Sequence, residues 1–332
     1  MQTSALEDRY GRVATDLRVS LTDRCNLRCS YCMPAEGLDW LPDDTMLTDD
    51  ETVRLIEIAV VRLGVREVRF TGGEPLVRRG LVDIVRRTKL LDPSPDVSLT
   101  TNALGLAKTA QSLAEAGLDR VNVSLDSVRA ETFAAITRRD RLHDVVAGLE
   151  AATAAGLNPV KINAVLLRGL NDDQAPELLR WSLDHGYELR FIEQMPLDAQ
   201  HGWTRDGMIT ADEIFTALDE KFVLTPATEP RGSAPAELFL VDGGPGTVGV
   251  IASVTRPFCG DCDRVRLTAD GQIRNCLFAR EESDLRAALR GSSTDAQIAD
   301  QWRLAMMTKR PGHGIDDESF LQPTRPMSAI GG

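Results

Sequence analysis

From residue 16 to about residue 200 the sequence repeats one pattern about six times: a short apolar run, a loop, and a longer segment with helical spacing. Residues 65–70, 97–101, 121–125, 159–166 and 188–193 have strand length and composition. Segments 81–88, 107–116, 130–136, 142–155 and 176–185 have the spacing of helices. Thr48 and Glu51 form a capping box that opens a further helix, with Val53, Ile56, Val60 and Leu63 on its apolar face and Gly64 at its end. Alternating βα units of this kind predict an α/β fold with a parallel sheet, open or curled toward a barrel. Ligands of such sheets collect at the carboxyl ends of the strands. The polar clusters 71–75, 100–102, 124–127, 161–163 and 193–195 fall there.

The pattern changes after residue 200. Thr210 and Glu213 form a second capping box, opening a helix to about residue 221, and 226–235 is linker-like. Short strands are expected at 236–241, 247–254, 264–268 and 272–275, with Asp270-Gly271 as a hairpin turn. Helices are expected at 285–289 and 295–308, and the polar, glycine-rich stretch 313–332 is expected to be mobile. Gly244, Gly246 and Gly249 match the dinucleotide fingerprint by letter. The run contains Pro245 and leads into a strand, so the phosphate-binding mechanism of that motif is missing. Trp181, Trp203 and Trp302 read as packing residues.

The net charge of −12 disfavours sequence-independent nucleic-acid binding, although a local arginine cluster can still hold phosphate. No run of about 18 apolar residues predicts a membrane span. The N-terminus lacks the basic-then-apolar order of a secretion signal, so a cytoplasmic location is expected.

The six cysteines fall into two sets of three, Cys25, Cys29, Cys32 and Cys259, Cys262, Cys276. Three thiolates within eight residues can cap one corner of an iron–sulfur cluster, whose usual complement is four cysteines, and leave one iron open to another ligand. A three-cysteine zinc site is the alternative. It lacks a nearby fourth ligand, since the four histidines are His143, His185, His201 and His313. The second set, taken alone, fits a zinc ribbon nearly as well. Arg264 and Arg266 follow it, alternating on one strand face, and two guanidiniums there suit a triphosphate or purine.

The run Cys25-Asn26-Leu27-Arg28-Cys29-Ser30-Tyr31-Cys32-Met33-Pro34 resembles the signature of the radical S-adenosylmethionine enzymes, and Gly72-Gly73-Glu74-Pro75 resembles their GGEP element. Residues 258–278 are similar to the C-terminal signature of the GTP 3′,8-cyclases, the molybdenum-cofactor branch of that family. The resemblance extends over nearly the whole chain. It implies an incomplete (β/α)6 TIM-type barrel over residues 1–222 and a smaller C-terminal α+β domain over 223–332. It also implies two [4Fe–4S] clusters, one on each cysteine set, of which the first cleaves S-adenosylmethionine. Tyr31, Gly73, Ser124 and Met195 would contact S-adenosylmethionine. Arg18, Arg69, Thr100, Lys161, Arg264 and Arg266 would contact GTP, with Arg190 nearby. Cys25, Cys29, Cys32, Arg264 and Arg266 would carry the catalysis. The implied partners are GTP, an external electron donor, a second copy of the chain, and the cyclic pyranopterin monophosphate synthase that takes the product.

Two positions depart from the family pattern. Ala103 stands where glycine is usual and disfavours a left-handed backbone, so that loop is expected to differ slightly. Asp263 stands where asparagine is usual and is expected to weaken anion binding unless it faces away. The Gly331-Gly332 ending resembles the family's double glycine, which reaches the active site. The rival readings are a peptide-modifying two-cluster radical enzyme, which usually carries more C-terminal cysteines, and a zinc-binding regulatory protein without enzymatic activity.

Overall fold

The computed structural model describes residues 5–331. Its first part runs β1 (Asp16–Ser20), α1 (Asp49–Glu57), β2 (Glu67–Thr71), α2 (Leu81–Lys89), β3 (Asp96–Thr101), α3 (Leu106–Glu115), β4 (Arg120–Ser124), α4 (Ala130–Thr137), α5 (Leu142–Ala154), β5 (Val160–Val165), α6 (Ala175–Asp184) and β6 (Glu188–Ile192). The later part comprises α7 (Ala211–Asp219), β7 (Leu224–Pro226), β8 (Glu237–Val241), β9 (Thr247–Ile251), β10 (Arg264–Leu267), β11 (Gln272–Arg274), β12 (Ser283–Asp284), α8 (Leu285–Arg290), α9 (Asp295–Met307) and α10 (Met327–Ile330). Strands β1 to β6 lie side by side in chain order, every pair parallel. The C-terminal strands extend this same sheet at both sides: β10 pairs in parallel with β1, and β9 in parallel with β6. β11 and β12 continue beyond β10, and β8 and β7 beyond β9, all antiparallel.

The two-residue period of the strands sorts the sheet's faces. Leu17, Val68, Leu99, Val121, Ile162 and Leu189 are each at most 1% exposed and belong to one core cluster with the helices. Full burial of one such side chain is worth about 1.5–3 kcal/mol. The alternate positions carry Arg18, Arg69, Thr100, Asn122, Asn163 and Arg190, and so make the opposite face polar. That face holds the site. Both expected capping boxes form, at Thr48 with Glu51 and at Thr210 with Glu213. The helix after Thr48 widens into a π-helical stretch over Ile58–Arg62 before Gly64, whose φ is +78°.

Two expectations need correction. Residues 313–331 are anchored, not loose. Arg325 pairs with Asp270 at 3.0 and 2.8 Å, the Met327 amide donates to the Leu197 carbonyl at 2.9 Å, and Ile330 is fully buried. Of the apolar residues of α10 only Ile330 is buried, beside the buried Ser328. Ala103, for its part, does adopt the left-handed backbone, with φ 63°. An L-residue there costs about 1–2 kcal/mol. The surrounding loop holds it: the Ala103 amide donates to Thr101 Oγ1 at 2.9 Å and the Leu104 amide to Asn102 Oδ1 at 2.9 Å.

Glu193 follows β6 and is fully buried. Its carboxylate accepts from the Ala211 amide at 2.8 Å, the Val254 amide at 2.8 Å, and the Thr255 amide and hydroxyl at 2.9 and 2.5 Å. One side chain thus ties the end of β6 to the start of α7 and to the loop after β9. Glu193→Ala strands two buried amides and a third that is part-buried, and a loss of about 3 kcal/mol is expected in a urea unfolding curve.

Candidate active site

The first cysteine set lies on the loop after β1. The Cys29 carbonyl accepts the amides of Cys32 and Met33 at 3.0 and 3.1 Å, curling the loop tightly. Arg138, at φ 56°, donates to the carbonyls of Arg28 and Met33, both at 2.8 Å, and so clamps the loop from the end of α4. Burial pushes the thiols of Cys25, Cys29 and Cys32 upward, and neighbouring thiols and the carboxylate of Asp126 add to the effect at Cys29 and Cys32. Buried thiols in an acidic setting ionise only if a cation joins them, and metal supplies one. Asn102 Nδ2 lies 3.8 Å from Cys25 Sγ.

Gly73 packs directly against this loop. A Cβ there would lie 2.4 Å from the carbonyl oxygens of Asp23 and Arg24. Gly73→Ala is therefore expected to push the cysteine loop aside. It should weaken S-adenosylmethionine binding by about tenfold or more in anaerobic calorimetry, the scale of about 1–3 kcal/mol for overpacking. Glu74, 1% exposed, accepts from Thr101 Oγ1 at 2.7 Å and from the amides of Asn102 and Leu76 at 2.7 and 2.9 Å. Burial still lifts its carboxyl to about 7. The Tyr31 hydroxyl donates to Asp126 Oδ2 at 2.9 Å, and burial lifts Asp126 to about 6.

The second set is held differently. Cys259 and Cys262 flank a short 3₁₀ turn, and Cys276 follows β11. Arg12 braces this turn from the N-terminal segment, donating to the carbonyls of Cys259 and Pro311 at 2.7 and 3.0 Å. Lys309 is 3% exposed and donates to the carbonyls of Cys262 and Arg264 at 3.1 and 3.0 Å and to Cys262 Sγ at 3.5 Å. Burial opposes ionisation of Cys262, but Arg264 and Lys309 outweigh it and bring the thiol to about 7. The first set thus sits among acids and the second among cations. His313 does not complete the second set: Nε2 lies 3.0 Å from the Ser253 carbonyl, and Nδ1 accepts the Ile315 amide at 3.1 Å.

All six cysteines are free and open onto one cavity of about 340 Å³. Among the described residues no three histidine, cysteine, aspartate or glutamate side chains converge on a point fit for a single metal ion. Three half-buried thiols per set, close enough to repel as thiolates and with no fourth protein ligand among the described residues, suit a cluster that spreads its ligands over several irons.

Tyr31, Gly73, Ser124 and Met195 line the cavity beside the first set, and Arg18, Arg69, Thr100, Arg190, Arg264 and Arg266 line it as well. Lys161 does not. It pairs with Glu188 at 2.8 Å and lines a separate cavity of about 360 Å³, behind the arginines and covered by residues 231–235. Asp263 also faces that rear cavity, where its carboxylate accepts from Thr15 Oγ1 at 3.0 Å, so it stays clear of the front one. Gly331 packs against Thr71 and Ser20, with its carbonyl 3.4 Å from Arg266 Nε, but is not among the residues that line the front cavity, while Gly332 lies outside the described residues. Sequence reasoning passed over Asp16, Asp126 and Lys309. Asp16 had a signal, standing two residues before Arg18 on one strand face; Lys309, 33 residues beyond Cys276, had none.

Residues 19–182 match the Radical SAM superfamily model, and residues 187–315 match the model of Molybdenum Cofactor Synthesis C. The fold is shared with SuiB of Streptococcus suis bound to S-adenosylmethionine, 14% identical with a TM-score of 0.60 over 92% of this chain and 68% of that one. Sheet, cysteine loop and family model together define the radical S-adenosylmethionine class. At finer resolution the chain is 67% identical to the GTP 3′,8-cyclase of Streptomyces coelicolor, over 98% of this chain and 96% of that protein. It is 64% identical to the GTP 3′,8-cyclase of Mycolicibacterium smegmatis, over 98% and 92%. The chain belongs to the GTP 3′,8-cyclase family.

Proposed function

We propose that this chain converts GTP to (8S)-3′,8-cyclo-7,8-dihydroguanosine 5′-triphosphate, the first step of molybdenum-cofactor biosynthesis. One observation carries the reading: both three-cysteine sets open onto a single cavity whose lining bears five buried or nearly buried arginines. Cys25, Cys29 and Cys32 would hold one [4Fe–4S] cluster, and Cys259, Cys262 and Cys276 the other, each with one iron free of protein. When bound, the first of these clusters would supply the electron for cleavage of S-adenosylmethionine to the 5′-deoxyadenosyl radical, whose removal of the ribose C3′ hydrogen opens the route to the C3′–C8 bond.

The residues of the chain bind, orient and shield. Glu74 receives the methionine ammonium, and Gly73 lets the backbone approach it closely. Tyr31, Ser124 and Met195 line the remainder of that subsite. Arg18, Arg69, Arg190, Arg264 and Arg266 hold the triphosphate and purine by charge-assisted hydrogen bonds. Thr100 offers a hydroxyl between the two subsites. Lys161 would act from behind, through the rear cavity. Phe258 and Leu277 keep water from the open side of the second set.

The reading extends to a partial barrel over residues 1–222 with a C-terminal domain over 223–332, supported by the run of six parallel strands before the antiparallel additions. It includes a homodimer in the cytoplasm, an external electron donor, and transfer of the product to the cyclic pyranopterin monophosphate synthase. No described helix is long and apolar enough to cross a membrane. The deciding experiment is an anaerobic assay with GTP, S-adenosylmethionine and reductant. The cyclised nucleotide is expected together with 5′-deoxyadenosine; 5′-deoxyadenosine formed with GTP untouched would keep the enzyme class and reject the substrate.

A further inference from the structure

The strand register stacks the charges of the site in two rows. Arg18 on β1 stands directly opposite Arg266 on β10 and Arg69 on β2. Three guanidiniums thus share one level on three adjacent strands, an arrangement in which like charges repel. Two residues earlier, Asp16 stands opposite Arg264 and Glu67. The front cavity is lined by Arg18, Arg264 and Arg266 and not by Asp16, which lines the rear cavity; Arg69 and Arg190 line both. A wall of arginines therefore separates the two cavities, with one carboxylate directly behind it.

The cations of the rear cavity have partners of their own. Lys161 holds Glu188 at 2.8 Å, and Arg120 holds Glu67 at 3.1 Å together with Asp96. Among the described residues Asp16 is the only carboxylate within 4 Å of the wall, and it stays at arm's length: Asp16 Oδ2 is 3.6 Å from Arg18 Nη2 and 3.9 Å from Arg69 Nη2, both beyond hydrogen-bond range. Asp16 is 7% exposed, and its Oδ1 has no hydrogen-bond partner; neither have Arg18 Nε and Arg190 Nε. Burial opposes its charge, but Arg18, Arg69, Arg264 and Arg266 together keep it ionised. The carboxylate offsets the positive field without using up the donors that would grip an anion.

We propose that Asp16 is a positioning residue that limits how tightly the arginine wall holds a polyphosphate, so that a triphosphate product as highly charged as its substrate can leave. The idea rests on the GTP reading above. Binding that is too strong in the ground state adds nothing to turnover and slows release. A buried carboxylate that merely held the arginines in place would, on removal, weaken anion binding. A carboxylate that opposes the bound anion would, on removal, strengthen it. The two roles differ in sign.

The test measures the affinity of anaerobically reconstituted Asp16→Asn protein for inorganic tripolyphosphate and for GTP, beside the wild type. Asp16→Ser, which removes the charge with a smaller side chain, is measured in parallel in case the first variant folds poorly. Both ligands are expected to bind about tenfold tighter, the scale of one charge at such distances inside a protein. KM for GTP should fall together with kcat, and the affinity should depend more steeply on salt. Unchanged or weaker binding of both ligands in either folded variant overturns the assignment to Asp16. Wild-type protein that binds tripolyphosphate but not GTP instead removes the substrate reading, and the sign of the tripolyphosphate change still decides the role of Asp16.

Discussion

Cys29→Ala protein, reconstituted anaerobically, is expected to carry about four irons per chain where the wild type carries about eight, and to form no 5′-deoxyadenosine above background. Cys29 lies at the centre of the first set: its thiol faces those of Cys25 and Cys32, and its carbonyl closes the loop on which Cys32 sits. Cys262→Ala should also fall to about four irons, yet still cleave S-adenosylmethionine, because the first set and the Gly73–Glu74 shelf are untouched. Iron analysis with product chromatography reads both variants. Equal loss of S-adenosylmethionine cleavage in the two would show that the sets do not act as separate centres, and two zincs per chain with no iron would end the radical reading.

Arg266→Ala is expected to lower kcat/KM for GTP by about thirtyfold or more, the effect of about 2–5 kcal/mol seen when one partner of a buried charge pair is lost. Arg266 is 4% exposed and lines the cavity; besides the distant Gly331 carbonyl, its charge is opposed by Arg264 and favoured by Asp16 and the thiols of Cys262 and Cys276. Burial and the neighbouring Arg264 lower its affinity for a proton to about 10, so this charge is unfavourable until an anion arrives. The variant should therefore unfold no more easily than the wild type in urea, while its GTP chemistry collapses and 5′-deoxyadenosine formation persists. A parallel drop in stability and activity would mean that Arg266 serves the fold and not the substrate.

What could be read from the sequence was mostly local. Capping boxes at Thr48 and Thr210 act within one helical turn, so four residues are enough to reveal them; the same signal at Thr294 and Gln297 opens α9. The first cysteine set and the alternation of Arg264 with Arg266 were visible because spacing alone places them on one loop or one strand face. The order of the sheet was not visible, since the contacts of β10 with β1 and of β9 with β6 join residues far apart in the chain. The same gap explains Lys161. The register places it level with Asn122 and Glu188, and it lines the rear cavity with Asn122, whereas Asn163, two residues on, reaches the front one. Asp126 and Lys309 gain their place only through tertiary packing. The C-terminal stretch looked polar enough to fray, and the buried Ile330 with the Arg325–Asp270 pair proved sufficient to dock it.

The manner in which β9 and β10 flank the first six strands also bears on how the protein can be made. A nascent chain that has emerged only through residue 222 presents bare backbone donors and acceptors along both β1 and β6, because their covering partners are still inside the ribosome or not yet translated. Cleavage within residues 226–235 would leave such a fragment with both edges open and prone to self-association. Biosynthesis of a sound molecule is thus committed to completing translation before the first half can settle.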